Sequence, residues 1–469
     1  MIGGVGPHGD GDDSDDVDSS LPLLIDGALP PDLQGTLVRV GPRRPEDEGP
    51  AGGAGGAGGG DSPRGALHAV ELRDGQAVWY RRRESAADAG VFWHAGSILA
   101  LPETGLPSRY SRFLEPEEFS GALTVPIASH VHRVAADGAR VLFSVDDGTR
   151  DEEEAGPDES DGIRLRIGEW DATGALQTAQ AVELERATWQ HDIAVTAHHV
   201  VFIESPTARV SGLRGEPVPF GWLPGTEGWM GLVPRGGDGT SVRWFRLDPT
   251  LVTHVLGAYE EDPPSPGDVA SGNGARRAGA LVLYACRYEV PEAGQPVDTA
   301  TSVVGPLGIG LSPIGGSLAI LERWRVDGDT LERTQVDERH VEYPRVDASV
   351  EGAPFRHGYG VELAWDATAA AAVPSGLAQF DFARDEVRTW QPGPGRRPSE
   401  PLFVRAADGH SDDEGWILSV VDDPDRGASD LYVLDASALG RHRPEAVVHL
   451  PERLPFRSHG EWVPADRYR

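Results

Sequence analysis

The chain alternates short apolar runs with polar turn segments. RVLFSV (140–145), HVVFIE (199–204), SVRWFRL (241–247), LVLYACRYEV (281–290), LAILERWRV (318–326), LAQFDF (377–382), GWILSVV (415–421) and DLYVLD (430–435) all read as strands. Several run into an Asp/Gly turn and a second strand. RWRVDGDTLERTQV (323–336) is the plainest, with DGD predicting a hairpin. No fixed-period repeat is present. Many strands without helices predict an all-β sandwich, barrel or propeller, and periodicity does not choose among them.

Composition supports this reading. Gly 60 and Pro 38 in 469 residues are a load that long helices tolerate poorly. Residues 1–20 read as a disordered acidic tail, with six aspartates between Asp10 and Asp18, and 21–469 as a single domain. The Asp146–Asp161 run, with nine acids, reads as a solvated loop, as do AGGAGGAGGG (51–60) and the polar insertion 262–279.

Charge and residue usage exclude several functions. A formal charge of −33 repels phosphate backbones, so nucleic acid is not an expected partner. The chain has no lysine, which excludes Schiff-base chemistry. Cys286 is the single cysteine and lies in an apolar run, so it reads as core and as a sign of a reducing compartment. MIGGVGPHGDGDD resembles no signal peptide, and no apolar run approaches the roughly 18 residues that span a bilayer. The expectation is a soluble, cytoplasmic protein.

Fifteen histidines are present. Four have specific settings: His130 in VPIASHVHRV, His191 in ATWQHDIAVT, His254 in PTLVTHVLGAYEED and His459 in LPFRSHGEWVP. They are separated by 61, 63 and 205 residues, which matches no local metal motif. By themselves they read as scattered core and surface histidines. A propeller would be able to bring them together on one axis.

A series of segments resembles the carotenoid cleavage oxygenase family. In order they are GALPPDLQGTLVRVGP (27–42), ALHAVELRDGQAVWYRRR (66–83), HAGSILALPETGLP (94–107), HDIAVT (191–196), GLVPRGG (231–237) with RWFRLDPTLVTHVLGAYEE (243–261), VEYPRVD (341–347), SEPLFVRA (399–406) and SHGEWVP (458–464). The resemblance covers about residues 20 to 465. It implies a seven-bladed β-propeller with one axial iron(II) per chain and a dome of loops over an apolar tunnel. It also implies a dioxygenase that cleaves a double bond of a carotenoid or apocarotenoid with O2.

Carried over residue by residue, the iron ligands are His130, His191, His254 and His459. Glu103, Glu342 and Glu400 are the carboxylates that orient them. Imidazole suits iron, and four neutral ligands leave positions for O2. His132 is a rival to His130, because the family's "tAHPk" is ASHVH here. On a strand the two would point the same way. Gly257 replaces an asparagine of the family pattern, and GGDSPRGALH replaces its "GDGm.H". Aromatic candidates for the tunnel wall are Phe92, Trp93, Trp189, Phe220, Trp222 and Trp229, for each of which core packing is an equal reading.

The resemblance leaves two alternatives. In the stilbene-cleaving branch a lysine precedes the glutamate matching Glu103; here that residue is Pro102. The other is a non-catalytic propeller that binds a partner. A lipid-borne polyene also suggests transient membrane contact, for which VPFGWLPGTEGWMGLVP (218–234) has a suitable composition.

Overall fold

The computed structural model describes residues 16–43, 65–103, 105–118, 127–146, 162–209, 220–223, 225–261, 279–288, 303–304, 318–367, 371–441, 443–456 and 458–468. No α-helix occurs among them. Every strand-like run named above lies in a strand, with ends shifted by a few residues. The predicted hairpin forms between Ala319–Asp327 and Thr330–Arg345, closing on the pair Asp327 and Thr330. Gly328 there has φ +57°, a conformation glycine adopts without strain.

Strand pairing is antiparallel and follows chain order, one meander after another. The first meander is Gly35–Pro42, Gly65–Arg73 and Gln76–Ser85; the second starts at Gly90–His94 and Ser97–Leu101. The third is His132–Arg133, Arg140–Asp146, Arg164–Trp170 and Leu176–Glu183. The fourth is Ala194–Val195, His199–Glu204, Gly228–Pro234 and Arg243–Leu247. The fifth begins with Leu251–Glu260 and ends on the first half of Thr330–Arg345; that strand's second half begins the sixth. The seventh is built on Gly415–Asp423, Ala428–Asp435 and Ala446–His449.

Core packing shows how these sheets are arranged. Each apolar cluster lies between two consecutive meanders. Trp93 and Ile98 of the second pack on Val38 and Leu67 of the first. Phe92 and Leu99 meet Leu142 and Trp170 of the third. Phe143 and Ile167 meet Val200 and Phe202 of the fourth. Met230 and Phe245 meet Leu283 and Trp324 of the fifth. Val282 and Leu321 meet Ala378 and Phe380 of the sixth. Tyr359 and Leu377 meet Ile417 and Tyr432 of the seventh. Leu418 and Leu431 of the seventh then return to Leu37 and Val70 of the first. Seven interfaces in a cycle make a closed ring of seven blades, a β-propeller. Faces covered on both sides explain why many strands are buried along nearly their whole length rather than at alternate residues.

Two strand pairings close the ring. His459–Pro464 pairs with Gly35–Pro42, and Ile25–Gly27 pairs with Ala446–His449. A separate three-stranded sheet, Thr207–Arg209, Phe220–Trp222 and Val303–Val304, belongs to no blade.

The acidic tail departs from expectation within the described residues. Val17–Ser19 forms an edge strand on Gln76–Ser85. Arg83 donates to both oxygens of Asp18 at 2.9 Å, so paired charge and a free sheet edge recruit this segment. Residues 1–15, 51–60 and 147–161, also expected to be irregular, lie outside the described residues, as does most of the 262–279 insertion. The proposed membrane-contact segment is largely interior where described: Trp222, Met230, Leu232 and Val233 are buried. Among the described residues no helix is long and apolar enough to cross a membrane.

Candidate metal centre

Four imidazoles converge where inner edges of the blades meet. His130 lies just before the edge strand of the third blade, and His191 just before that of the fourth. His254 lies in the edge strand of the fifth, and His459 begins the closing strand of the first. One ring nitrogen from each falls within 4.8 Å of all the others. His191 Nε2 is 3.4 Å from His130 Nε2 and 3.2 Å from His254 Nε2. Such spacings suit nitrogens around one ion with metal–nitrogen distances of about 2.0–2.1 Å.

Three blades carry no histidine of this group, and each supplies a carboxylate instead. His191 Nδ1 lies 2.9 Å from both oxygens of Glu103, from the second blade. His254 Nδ1 lies 2.5 Å from Glu342 Oε2, from the sixth. His459 Nδ1 lies 2.9 Å from Glu400 Oε1, from the seventh. Each carboxylate fixes its ring with Nδ1 as donor, leaving Nε2 free to face the centre. Among the described residues no carboxylate bonds to His130.

The carboxylates are themselves held. Trp189 Nε1 donates to Glu103 Oε1 at 2.8 Å, and the indole stacks on His191 with centroids 4.9 Å apart. Glu342 accepts from the Thr253 hydroxyl and, at 2.9 Å, from the Tyr343 amide. Tyr343 adopts φ +51°, costly for a bulky residue, and its ring lies 5.4 Å from that of His254 and 5.5 Å from that of His459. Glu400 accepts from Arg345 Nε at 2.9 Å and from the Gly460 amide at 2.7 Å.

Burial alone would raise Glu400, but Arg345 and His459 outweigh it and hold the carboxyl well below its usual range. Burial would likewise raise Glu342, and His254 overrides it and lowers it. Burial, reinforced by the neighbouring imidazoles, lowers His130 far below an ordinary histidine. His459 falls to about 4 because burial exceeds the pull of Glu400. Neutral imidazole is the form that binds a metal.

His132, the rival, is differently placed. Its Nε2 is 2.7 Å from Asp192 Oδ1 and its Nδ1 2.6 Å from Glu351 Oε1. Burial opposes its charge, but Asp192 and Glu351 raise it to about 10. With both nitrogens engaged as donors, it has none for a metal. The same-face expectation fails because His130 precedes the two-residue strand His132–Arg133 and is not part of it.

The aromatic candidates separate. Trp189 touches the centre, and Trp222 shares its apolar cluster. Phe92 and Trp93 pack between blades, and Trp229 is half-buried on Gly228–Pro234. Phe220 is in a described strand, but its side chain lies outside the described residues. Sequence reasoning overlooked Asp192 and Arg345. The available signal was a charged residue immediately beside a candidate histidine or glutamate segment, in HDIAVT and VEYPRVD.

The chain is 28% identical to a carotenoid cleavage oxygenase of Mycobacterium tuberculosis, over 94% of each chain. It is 27% identical to an isoeugenol monooxygenase of Pseudomonas putida, over 81% of this chain and 75% of the relative. It is 28% identical to lignostilbene-alpha,beta-dioxygenase isozyme III of Sphingomonas paucimobilis, over 64% and 59%. The crystal structure of a cobalt-substituted Synechocystis ACO superposes with a TM-score of 0.73, covering 96% of both chains at 20% identity, a likeness of fold. The family model described as RPE65, retinal pigment epithelial membrane protein, matches residues 70–464, and the chain belongs to this RPE65/carotenoid cleavage oxygenase family.

Proposed function

We propose that the protein is a non-haem iron(II) oxygenase that cleaves a carbon–carbon double bond of a carotenoid or apocarotenoid. The observation that carries this reading is the four-imidazole centre, with a carboxylate on the outer nitrogen of three rings. His130, His191, His254 and His459 would hold one iron per chain, and the donor set suits it: imidazole nitrogens with buried carboxylates behind three of the rings. Iron(II) bound there would supply O2 activation beside the double bond.

The protein's own part is to keep the rings aimed and the surroundings dry. Glu103, Glu342 and Glu400 fix the imidazoles. Trp189, Trp222 and the three-stranded sheet that carries Trp222 form an apolar flank against His191, suited to a polyene. We propose this sheet as part of the cover over the site.

A second reading has support in the relatives that act on isoeugenol and lignostilbene. Pro102 and the absence of lysine argue against a phenol-binding site of the stilbene kind. Incubation with a panel of carotenoids, apocarotenals, isoeugenol and hydroxystilbenes under 18O2 tests both. The expected result is faster turnover of a polyene, with one labelled oxygen in each carbonyl product. Preference for a hydroxystilbene or isoeugenol would overturn the substrate assignment. Alanine at any of the four histidines is expected to abolish turnover and most iron binding; full activity in one would remove it from the centre.

A further inference from the structure

Asp192 links three of the four histidine-bearing segments. It directly follows His191 and is buried. Its Oδ2 accepts the amide of Val255, the residue after His254, at 2.8 Å. Its Oδ1 lies 2.7 Å from His132 Nε2, two residues after His130, and also accepts the Ile193 amide at 2.8 Å. The far side of His132 meets Glu351, whose other oxygen accepts the Arg133 amide at 2.9 Å.

The Val255 amide is donated sideways because the edge strand Leu251–Glu260 is irregular here, with register shifts between Val252 and Val255 and between Val255 and Gly257. A bulge of this kind re-aims side chains and frees backbone groups. The freed amide is taken by the neighbouring blade's carboxylate, and that carboxylate by the next blade's histidine. A single side chain therefore bonds to three adjacent blades at their inner edge.

We propose that His132 and Asp192 are positioning residues, which tie the third, fourth and fifth blades together so that His130, His191 and His254 face one ion. The inference rests on the reading of the four histidines as a metal centre. His132 itself holds no metal; it acts through Asp192 and the two chain segments that this carboxylate grips.

The test is cobalt(II) binding to the full chain, measured anaerobically by competition with a chromophoric chelator, together with the visible spectrum of the bound cobalt. His132→Gln keeps a polar head but cannot serve both carboxylates, and Asp192→Asn removes the charge from the node. Both are expected to weaken binding by roughly 10- to 100-fold and to alter the cobalt bands. His132→Lys carries three donors on a longer stem, able to engage Asp192 and Glu351 together, and should recover most of the affinity and the wild-type bands. A general loss of stability would lower the melting temperature of the metal-free chain without that recovery.

Wild-type affinity and bands in His132→Gln and Asp192→Asn would overturn the tie. So would His132→Lys matching His132→Gln in affinity. If the buried variants fail to fold, Glu351→Gln at the outer side of the node decides: a smaller loss in the same direction supports the tie, and none overturns it. A wild-type chain that takes up no cobalt or iron overturns both the tie and the metal centre, whereas metal uptake with unaffected variants overturns the tie alone.

Discussion

Three glutamates share one geometric task but differ in what surrounds them. Glu103 accepts from the His191 imidazole and the Trp189 indole. Glu400 faces His459 and the guanidinium of Arg345. Removing Glu103 leaves an imidazole and an indole without their acceptor; removing Glu400 takes the carboxylate from Arg345, which keeps only the Gly460 carbonyl. Glu103→Gln should therefore weaken metal binding by roughly 10- to 100-fold while the metal-free chain melts near the wild-type temperature. Glu400→Ala should also lower stability itself, by about 1–3 kcal/mol, because the part-exposed Arg345 loses its carboxylate and the buried Gly460 amide loses its acceptor. Denaturant titration of both metal-free variants checks this, and equal stability would show that Arg345 finds another partner. At this scale the sequence was legible only through resemblance. Separations of 61 and 63 residues carry no metal pattern, and the convergence of these rings is a property of the ring of blades. Asp192, Trp189 and Arg345 have roles defined by what they touch across blades, which linear spacing does not encode.

Strands were legible because apolar runs bounded by turn residues are local features. Their edges and irregularities were not. The bulge that frees the Val255 amide, and the two-residue strand that leaves His130 outside it, arise from tertiary contacts between blades. The first blade carries a further consequence of register. His68 on Gly65–Arg73 stands opposite Arg39 on one side and Arg82 on the other. Its Nδ1 lies 2.7 Å from the Tyr80 hydroxyl, which donates to Glu452 at 2.6 Å. Burial, then Arg82 and Arg39, lowers His68 to about 3. The folded chain refuses a proton that the unfolded chain accepts near the ordinary histidine value of 6.5. The stabilising contribution is thus complete above that value and declines as pH falls toward 3. The slope attributable to this one proton is at most about 1.4 kcal/mol per pH unit. His94, lowered by burial to about 4, adds to the same trend. His68→Gln should flatten the pH dependence of unfolding free energy between about pH 6.5 and 4.5 relative to wild type. Parallel curves for the two proteins would mean that His68 is protonated in the fold.

For the whole molecule, ring closure and completion of the site are the same event. The strand His459–Pro464 pairs with Gly35–Pro42 and begins with the fourth histidine. Around it, Arg345 donates to the Gly460 carbonyl at 2.8 Å, and Arg39 donates to the Ser458 hydroxyl at 2.9 Å and to the Glu400 carbonyl at 3.1 Å. The seventh blade, the sixth and the first therefore meet at this strand. A metal that engages His459 binds only the closed ring, and a ligand that binds one state stabilises it, by about 2.7 kcal/mol when free metal is a hundred times its dissociation constant. If the closing strand opens locally before the ring unfolds, metal must slow that opening more than it slows exchange elsewhere. Hydrogen exchange with and without cobalt or iron(II) reads this directly. Amides of 459–463 and of 35–41 should gain the most protection on metal addition, while those of the strand Arg164–Trp170, in the middle of the third blade, should change little. His459→Ala should lose the gain at the closing strand while the strand still pairs. Uniform protection across all blades would show that the ring opens as one unit, and no gain at 459–463 in the wild type would separate closure from metal binding.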